Sequence, residues 1–194
     1  MRSELRETRL SVKDLVDEVA STANFESKKL MMEAYQASGI AKAEAAKVDI
    51  CQDIMANDAK TRVHVVSLDL SSLDSVRAAA KQVKDSFGKI HVLINNAGVM
   101  MGQQNMTADG YDMVMQANHL GHYLWTRLLL DRMDKEGRIL CLTSSTYSYA
   151  ERIDLDDLFC TKGRRVYSLF GQYAQSKLAN ILFVQEEELK RQRQ

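Results

Sequence analysis

The stretch that decides the fold runs from Ile90 to Gly98 and has the sequence IHVLINNAG. Its first five residues, Ile90–Ile94, form an apolar run that is typical of a strand covered on both faces in a parallel sheet. The NNAG quartet begins where such a strand would end, and open parallel sheets place their binding crevice at the carboxyl ends of strands. The stretch therefore predicts a buried strand that leads into a binding site.

Strand and helix patterns alternate on both sides of this stretch. Upstream, the β-branched run Arg62–Leu70 (RVHVVSLDL) predicts a strand ending at Asp69. A helix over Leu73–Phe87 follows, capped by Ser71 or Ser72 and stopped by Gly88. Downstream, the patterns predict a long helix over about Ala108–Arg132, a buried strand at Arg138–Leu142 and a last helix over about Leu169–Lys190.

This alternation predicts an α/β fold, because strands joined by crossover helices form parallel sheets. We expect about three strands, near 63–68, 90–94 and 138–142, in an incomplete Rossmann-type (doubly wound) sheet with flanking helices. Residues 1–60 show helical patterns only, with no strand that leads into a glycine-rich turn. We therefore predict two parts, an atypical helical N-terminal segment (1–60) and a sheet-bearing domain (61–194).

The composition argues against several classes of protein. The 26 basic and 26 acidic residues cancel, which disfavours a protein that binds nucleic acid or an anionic membrane. The three cysteines are widely spaced and form no CxxC pair, so a reducing compartment is favoured over a disulfide framework. No signal peptide or membrane segment is visible in the sequence, and the predicted location is cytoplasmic.

A tyrosine and a lysine lie four residues apart in Tyr173-Ala-Gln-Ser-Lys177. On a helix, residues i and i+4 project from the same face, so the phenol and the ammonium would be neighbours. Lowering a tyrosine pKa by about three units requires about 4 kcal/mol of preferential phenolate stabilisation. A lysine about 4 Å away supplies that amount at an effective dielectric of about 20. The spacing suits a tyrosine general acid and base. A chance pair of a tyrosine and a lysine on a solvated helix face would have the same spacing.

Other polar residues are expected near this pair. Ser144 and Ser145 follow the strand Arg138–Leu142, just as NNAG follows the strand before it. Asn118 falls inside the predicted long helix, where asparagine is a poor helix former and indicates a polar task. Taken singly, NNAG is explained by a turn and Ser-Ser by a helix cap. Their joint occurrence in this order favours one shared site.

Together these motifs resemble those of the short-chain dehydrogenase/reductase family. The details IHVLINNAGVMM (90–101), TADG (107–110) and NHLGH (118–122) are most similar to its retinol-dehydrogenase-like members. The resemblance covers about Ala41–Glu188. It implies an NAD(P)-binding Rossmann-type domain at 61–194. It also implies an oxidoreductase that interconverts an alcohol and a carbonyl, on a retinoid, a steroid or another lipophilic substrate.

The resemblance also implies a role for each motif residue. Tyr173 would exchange a proton with the substrate oxygen, and Lys177 would depress its pKa and bind the nicotinamide ribose. Ser145 would polarise the carbonyl, and Asn118 would hold a water that links Lys177 to solvent. The adenosine half of NADP or NAD would contact the remaining positions, Asp69, the backbone of Leu70, and Asn95, Asn96, Ala97 and Gly98.

Two histidines, His119 and His122, are spaced so that they could share a metal ion. No third ligand stands near them in the sequence, so we favour packing or surface roles and predict no metal site. The resemblance leaves a homo- or hetero-oligomer open.

The chain departs from the family pattern at the phosphate-binding turn. The family has a strand leading into T-G-x-x-x-G-x-G, whereas this chain has one glycine, Gly39, before Gly88. The sixth strand and the Pro-Gly turn expected after the Tyr-Lys helix are also not seen, and the chain has no proline. We therefore expect a truncated domain with weak cofactor binding. The alternatives are a catalytically inactive fragment or isoform that acts as a protein-interaction module, and a helical interaction module built on residues 1–60.

Overall fold

A computed structural model describes residues 64–164 and 166–192, so the helices predicted within residues 1–60 lie outside the described residues. In order, its elements are α1 (Leu73–Ser86), β1 (Ile90–Asn95), α2 (Met113–Met115), a π-helical turn (Gln116–Leu120), α3 (Gly121–Leu129), a 3₁₀ turn (Leu130–Arg132), β2 (Met133–Cys141), 3₁₀ turns at Ser145–Tyr149 and Leu155–Asp157, and α4 (Leu169–Gln192). The unbroken run 113–132 is called the central helix below.

β1 and β2 form a parallel pair, with Leu93 opposite Ile139 and Asn95 opposite Cys141. The central helix connects them, so the predicted α/β fold with a parallel sheet and flanking helices is confirmed. β2 begins at Met133, five residues before the predicted start at Arg138. Met133 pairs with Ile90 across an irregularity that interrupts the register before Val92.

The third predicted strand, near 63–68, does not form within the part of the chain that the structure describes. Residues 64–69 carry no ladder, and the described sheet contains β1 and β2 alone. A strand exists only where a neighbour accepts and donates its backbone hydrogen bonds, and no described segment provides one here. Leu68 and Leu70 at its end are nevertheless buried in the core.

Helix α1 follows the prediction closely. Ser72 is its N-cap and accepts a hydrogen bond from Ser75 N at 3.3 Å. Its buried face consists of the four predicted residues, Val76, Ala79, Ala80 and Val83. The prediction that Gly88 stops the helix is wrong in its mechanism. The C-capping residue is Phe87 in an extended conformation, and Gly88 is not among the residues with positive φ.

The central helix begins at Met113, later than the predicted start at Ala108. Gly110 adopts φ +80°, and its N–H donates to Thr107 O at 3.0 Å, so residues 107–110 form a turn. Asp112 then caps the helix by accepting from Met115 N at 2.9 Å.

The core lies between α1, the sheet and the central helix. Gly121 allows the closest approach, because a Cβ there would lie 2.7 Å from the carbonyl oxygen of Leu70. Leu70 thereby packs directly on the central helix. The other core residues include Leu68, Val76, Ile90, Leu93, Trp125 and Leu129. Among the described helices, none is long and apolar enough to cross a membrane.

Candidate active site

Tyr173 and Lys177 lie on the same face of α4, with Lys177 Nζ 5.4 Å from the centroid of the Tyr173 ring. Lys177 is buried, with 4% of its surface exposed, and Tyr173 is half-buried. Burial lowers the pKa of Lys177 below its usual value, and the neighbouring Cys141 side chain opposes that shift. The structure therefore places a cation beside a phenol in a desolvated setting, where electrostatic effects are strong.

Residues that follow β2 form hydrogen bonds with both the side chain and the backbone of Lys177. Its Nζ donates to Leu142 O at 3.2 Å, and its own carbonyl accepts from Thr143 Oγ1 at 2.9 Å. Leu142 N donates to Asn95 O at 3.0 Å, so the contact to Leu142 O joins Lys177 directly to the paired ends of β1 and β2. The lysine thus lies at the predicted sheet edge.

Asn118 lies within the π-helical turn of the central helix and is fully buried. Its Oδ1 accepts from Val99 N at 2.6 Å, and its Nδ2 donates to Val99 O at 2.9 Å and to Ser176 Oγ at 3.0 Å. Such π turns are frequent at functional sites. The polar task expected of Asn118 includes holding the backbone of Val99. Its water-linking role stays a prediction.

Gly98 brings the NNAG segment into contact with this cluster. A Cβ at Gly98 would lie 3.1 Å from Asn118 Oδ1 and 3.4 Å from Lys177 Nζ. Asn95, the first residue of NNAG, is buried and donates to Thr126 Oγ1 at 2.7 Å and to Cys141 Sγ at 3.3 Å. Asn96 and Ala97 between them are half-buried. NNAG therefore does more than form a turn, since it packs against Lys177 and the central helix.

Ser145 begins the 3₁₀ turn Ser145–Tyr149, which packs against α4. Ser144 is the N-cap of that turn and accepts from Thr146 N at 3.3 Å. Ser145 itself is exposed. The helix-cap explanation therefore fits Ser144, and it leaves the Ser145 side chain on the surface beside the helix that bears Tyr173.

Asp69 and Leu70 lie at the turn that precedes α1. Asp69 Oδ1 accepts from Ser71 N at 2.9 Å and from Ser71 Oγ at 2.6 Å. Leu70 is 1% exposed and packs on Gly121. Both residues thus shape a turn in this structure, and their adenine contacts stay a prediction.

Residues that the sequence did not single out complete the cluster. Ser176 Oγ donates to Tyr173 O at 2.7 Å and accepts from Asn118. Asn180 Nδ2 donates to Asn118 O at 3.1 Å and to Leu142 O at 3.3 Å. Their positions three residues after Tyr173 and after Lys177 put them on nearby faces of α4. That spacing was the available signal.

A buried glutamine anchors the start of α4. Gln172 Nε2 donates to Asp112 Oδ1 at 2.9 Å and to Leu158 O at 3.1 Å. One side chain thus joins α4 to the N-terminus of the central helix and to the loop after the Ser145 turn. Gln172 is fully buried and precedes Tyr173 directly, so it fixes the position from which the phenol projects.

The two histidines have partners other than a metal. His119 Nδ1 lies 3.0 Å from Asn180 Oδ1, and His122 Nε2 lies 2.8 Å from Ala97 O. Burial lowers the pKa of both rings. In the described ranges, no group of three or more candidate ligands could hold a metal ion.

The donor set fits the nicotinamide-ribose half of a dinucleotide. Lys177, Tyr173 and Ser145 all carry hydrogen-bond donors suited to hydroxyl and carbonyl oxygens. Gly98 presents backbone without a side chain beside the Lys177 ammonium, which leaves room for a ligand at that point. For the pyrophosphate half, the sequence of residues 1–88 contains no glycine-rich turn, since Gly39 and Gly88 are the only glycines there.

Comparison with known proteins identifies the family. The short chain dehydrogenase profile matches residues 24–152. Human retinol dehydrogenase 11 is 41% identical over 139 residues, which cover 71% of this chain and 42% of the relative. The polyprenol dehydrogenase of Danio rerio is 42% identical over 127 residues, which cover 62% and 38%. The chain therefore spans less than half the length of these curated relatives.

Solved structures agree with this result. A protein of Mycobacterium paratuberculosis is 36% identical, with a TM-score of 0.64 over 78% of this chain and 50% of that one. A blue fluorescent protein from a metagenomic library, solved with NADPH, is 20% identical, with a TM-score of 0.59 over 87% and 59%. The latter likeness shows the shared fold alone. From the profile match and the identity to the curated relatives, the chain belongs to the short-chain dehydrogenase family, and it is similar to retinol dehydrogenases.

Proposed function

We propose that the chain carries the proton-transfer site of an NAD(P)-dependent oxidoreductase that interconverts an alcohol and a carbonyl. The observation that carries the proposal is the position of Lys177 Nζ, 5.4 Å from the Tyr173 ring. The same ammonium lies beside Gly98 at the carboxyl edge of the sheet, which is where open α/β sheets bind their ligands.

Tyr173 is the group that gives or takes the proton of the substrate oxygen. The buried Lys177 ammonium lies beside this phenol. Ser145, exposed beside α4, donates a hydrogen bond to the carbonyl oxygen. A bound nicotinamide would supply or accept the hydride.

The substrate class is a lipophilic alcohol or carbonyl compound. Two exposed aromatic residues support this choice, Tyr149 at 75% and Phe170 at 56% exposure. Their rings lie 6.4 Å apart, between the Ser145 turn and the start of α4. They offer an apolar surface next to the site, and the relatives named above act on retinol and polyprenol by their names.

The cofactor is NADP or NAD, and the isolated chain binds it weakly. Three missing charge-assisted hydrogen bonds to phosphate cost about 5–9 kcal/mol together. That loss weakens binding by a factor on the order of a thousand to a million. The rate of reaction should therefore rise linearly with cofactor concentration instead of saturating.

A single-turnover assay tests the proposal. The chain is incubated with millimolar NADPH and retinaldehyde, and retinol is measured by mass spectrometry. We expect slow, unsaturated product formation that is abolished by Tyr173→Phe and strongly reduced by Lys177→Met, with unchanged circular dichroism. Equal product from wild type and Tyr173→Phe contradicts the proposal, and no product from a folded chain favours the interaction module.

A further inference from the structure

Three polar residues of the central helix form a buried stripe. Asn118, His122 and Thr126 are spaced four residues apart and are 0%, 3% and 0% exposed. On a helix, this spacing aligns side chains along one face. Buried polar groups in such a row require partners, because an unpaired one costs about 1–3 kcal/mol.

The stripe finds its partners in alternate residues of segment 95–99. Thr126 Oγ1 accepts from Asn95 Nδ2 at 2.7 Å. His122 Nε2 lies 2.8 Å from Ala97 O. Asn118 bonds both the N–H and the carbonyl of Val99, at 2.6 and 2.9 Å.

The central helix and segment 95–99 run in opposite directions, and the spacing of their paired residues matches. Four residues of helix rise about 6.0 Å, and two residues of extended chain advance about 6.6 Å. Each turn of the central helix can therefore meet every second residue of the segment. The stripe holds the segment at three successive points, and Gly98 lies between the last two.

His122 is a fixed donor in this arrangement. A carbonyl oxygen can only accept, so Nε2 must carry the hydrogen, and Nδ1 is left without a hydrogen-bond partner among the described residues. Burial lowers the pKa of His122 to about 4; the Ala97 contact opposes the shift, and the nearby Lys177 and His119 add to it. The ring is therefore neutral near pH 7, in one tautomer.

We propose that His122 is a positioning residue, which fixes Ala97 and Gly98 so that the backbone of the segment covers the Lys177 ammonium. The role in catalysis rests on the proposed function. The positioning of the segment over Lys177 does not depend on that function. It rests on the contact between Gly98 and Lys177, whose Nζ lies 3.4 Å from where a Cβ of Gly98 would be. Movement of the segment would change the solvation of that ammonium.

The test compares wild type with His122→Gln and His122→Leu by NMR, without cofactor or substrate. In wild type, the ring nitrogens of His122 should show the Nε2–H tautomer down to about pH 5. In His122→Leu, amide exchange at Val99 should accelerate by about tenfold or more. The pKa of Lys177 should also rise, because water gains access to the ammonium.

His122→Gln is the matched control, because its amide can donate to Ala97 O. It should restore Val99 protection and the wild-type titration of Lys177, which a loss of packing alone would not predict. If His122→Leu does not fold, His122→Asn takes its place, since its amide is too short to reach the carbonyl. An Nδ1–H tautomer, or a Lys177 titration that is the same in all variants, overturns the proposal. Both readouts are independent of turnover, so failure of the proposed function would be seen separately.

Discussion

Acid should destabilise this protein through His122. The folded pKa of this residue is lowered to about 4 from 6.5, mainly by burial. Between these two values the unfolded chain binds a proton at His122 that the folded chain does not. The contribution of the neutral His122 ring to stability is therefore fully present above about pH 6.5 and is lost as the pH falls toward 4.

The size of the effect follows from the shift. A difference of about 2.5 pKa units corresponds to about 3 kcal/mol, most of which is lost by pH 4.5. His119 also has a lowered pKa and adds to the loss in the same direction. A comparison with a His122 variant separates the two contributions.

Urea unfolding between pH 7.5 and 4.5 measures the effect in wild type and His122→Gln. The free energy of unfolding of wild type should fall by about 2.5 kcal/mol more than that of the variant over this range. Thr126→Val is the control, because it removes a buried hydrogen bond without removing a titrating group. The free energy of unfolding of Thr126→Val should be lower than that of wild type by the same amount at every pH. If wild type and His122→Gln also differed by a constant amount at every pH, the reasoning would be refuted.

Three further changes test the packing. Gly121→Ala should lower the free energy of unfolding by about 1–3 kcal/mol despite the better helix propensity of alanine, because its Cβ would lie 2.7 Å from Leu70 O; an unchanged urea midpoint would contradict this. Gln172→Leu should lower the free energy of unfolding by about 1–3 kcal/mol, because it removes the buried donor that bonds Asp112 and Leu158. As a control, Gln104→Leu at an exposed position should lower it less. Ser72→Ala should cost about 1 kcal/mol through the lost N-cap, and a thermal scan that shows no shift would count against the cap.

The sequence predicted those elements whose signals are local. The buried face of α1 follows from a helical repeat, and β1 follows from an apolar run that ends at NNAG. The start of the central helix was misplaced because Gly110 and Asp112 form a turn and a cap inside an otherwise helical pattern. The strand near 63–68 depends on a neighbour, which a pattern within the segment cannot reveal. The domain boundary near residue 60 stays a prediction.

The candidate site was predictable where one helix carries both partners. Tyr173 and Lys177 needed only the four-residue repeat. The contact between His122 and Ala97 joins residues 25 apart in sequence, and no local spacing indicates it. The π turn at Asn118 also depends on tertiary contacts, because its hydrogen bonds to Val99 and Ser176 cross between elements.

An NMR titration of the labelled chain with NADPH tests the central claim most directly. The site at Lys177 and segment 95–99 should bind the cofactor weakly, so we expect shift changes centred on Gly98, Val99 and Lys177 with a Kd of about 1 mM or weaker. Lys177→Met should abolish them while the spectrum of α1 stays unchanged. Shift changes elsewhere, or none at these residues at the highest NADPH concentration tested, would contradict the assignment of the site. A micromolar Kd would contradict the predicted loss of phosphate binding.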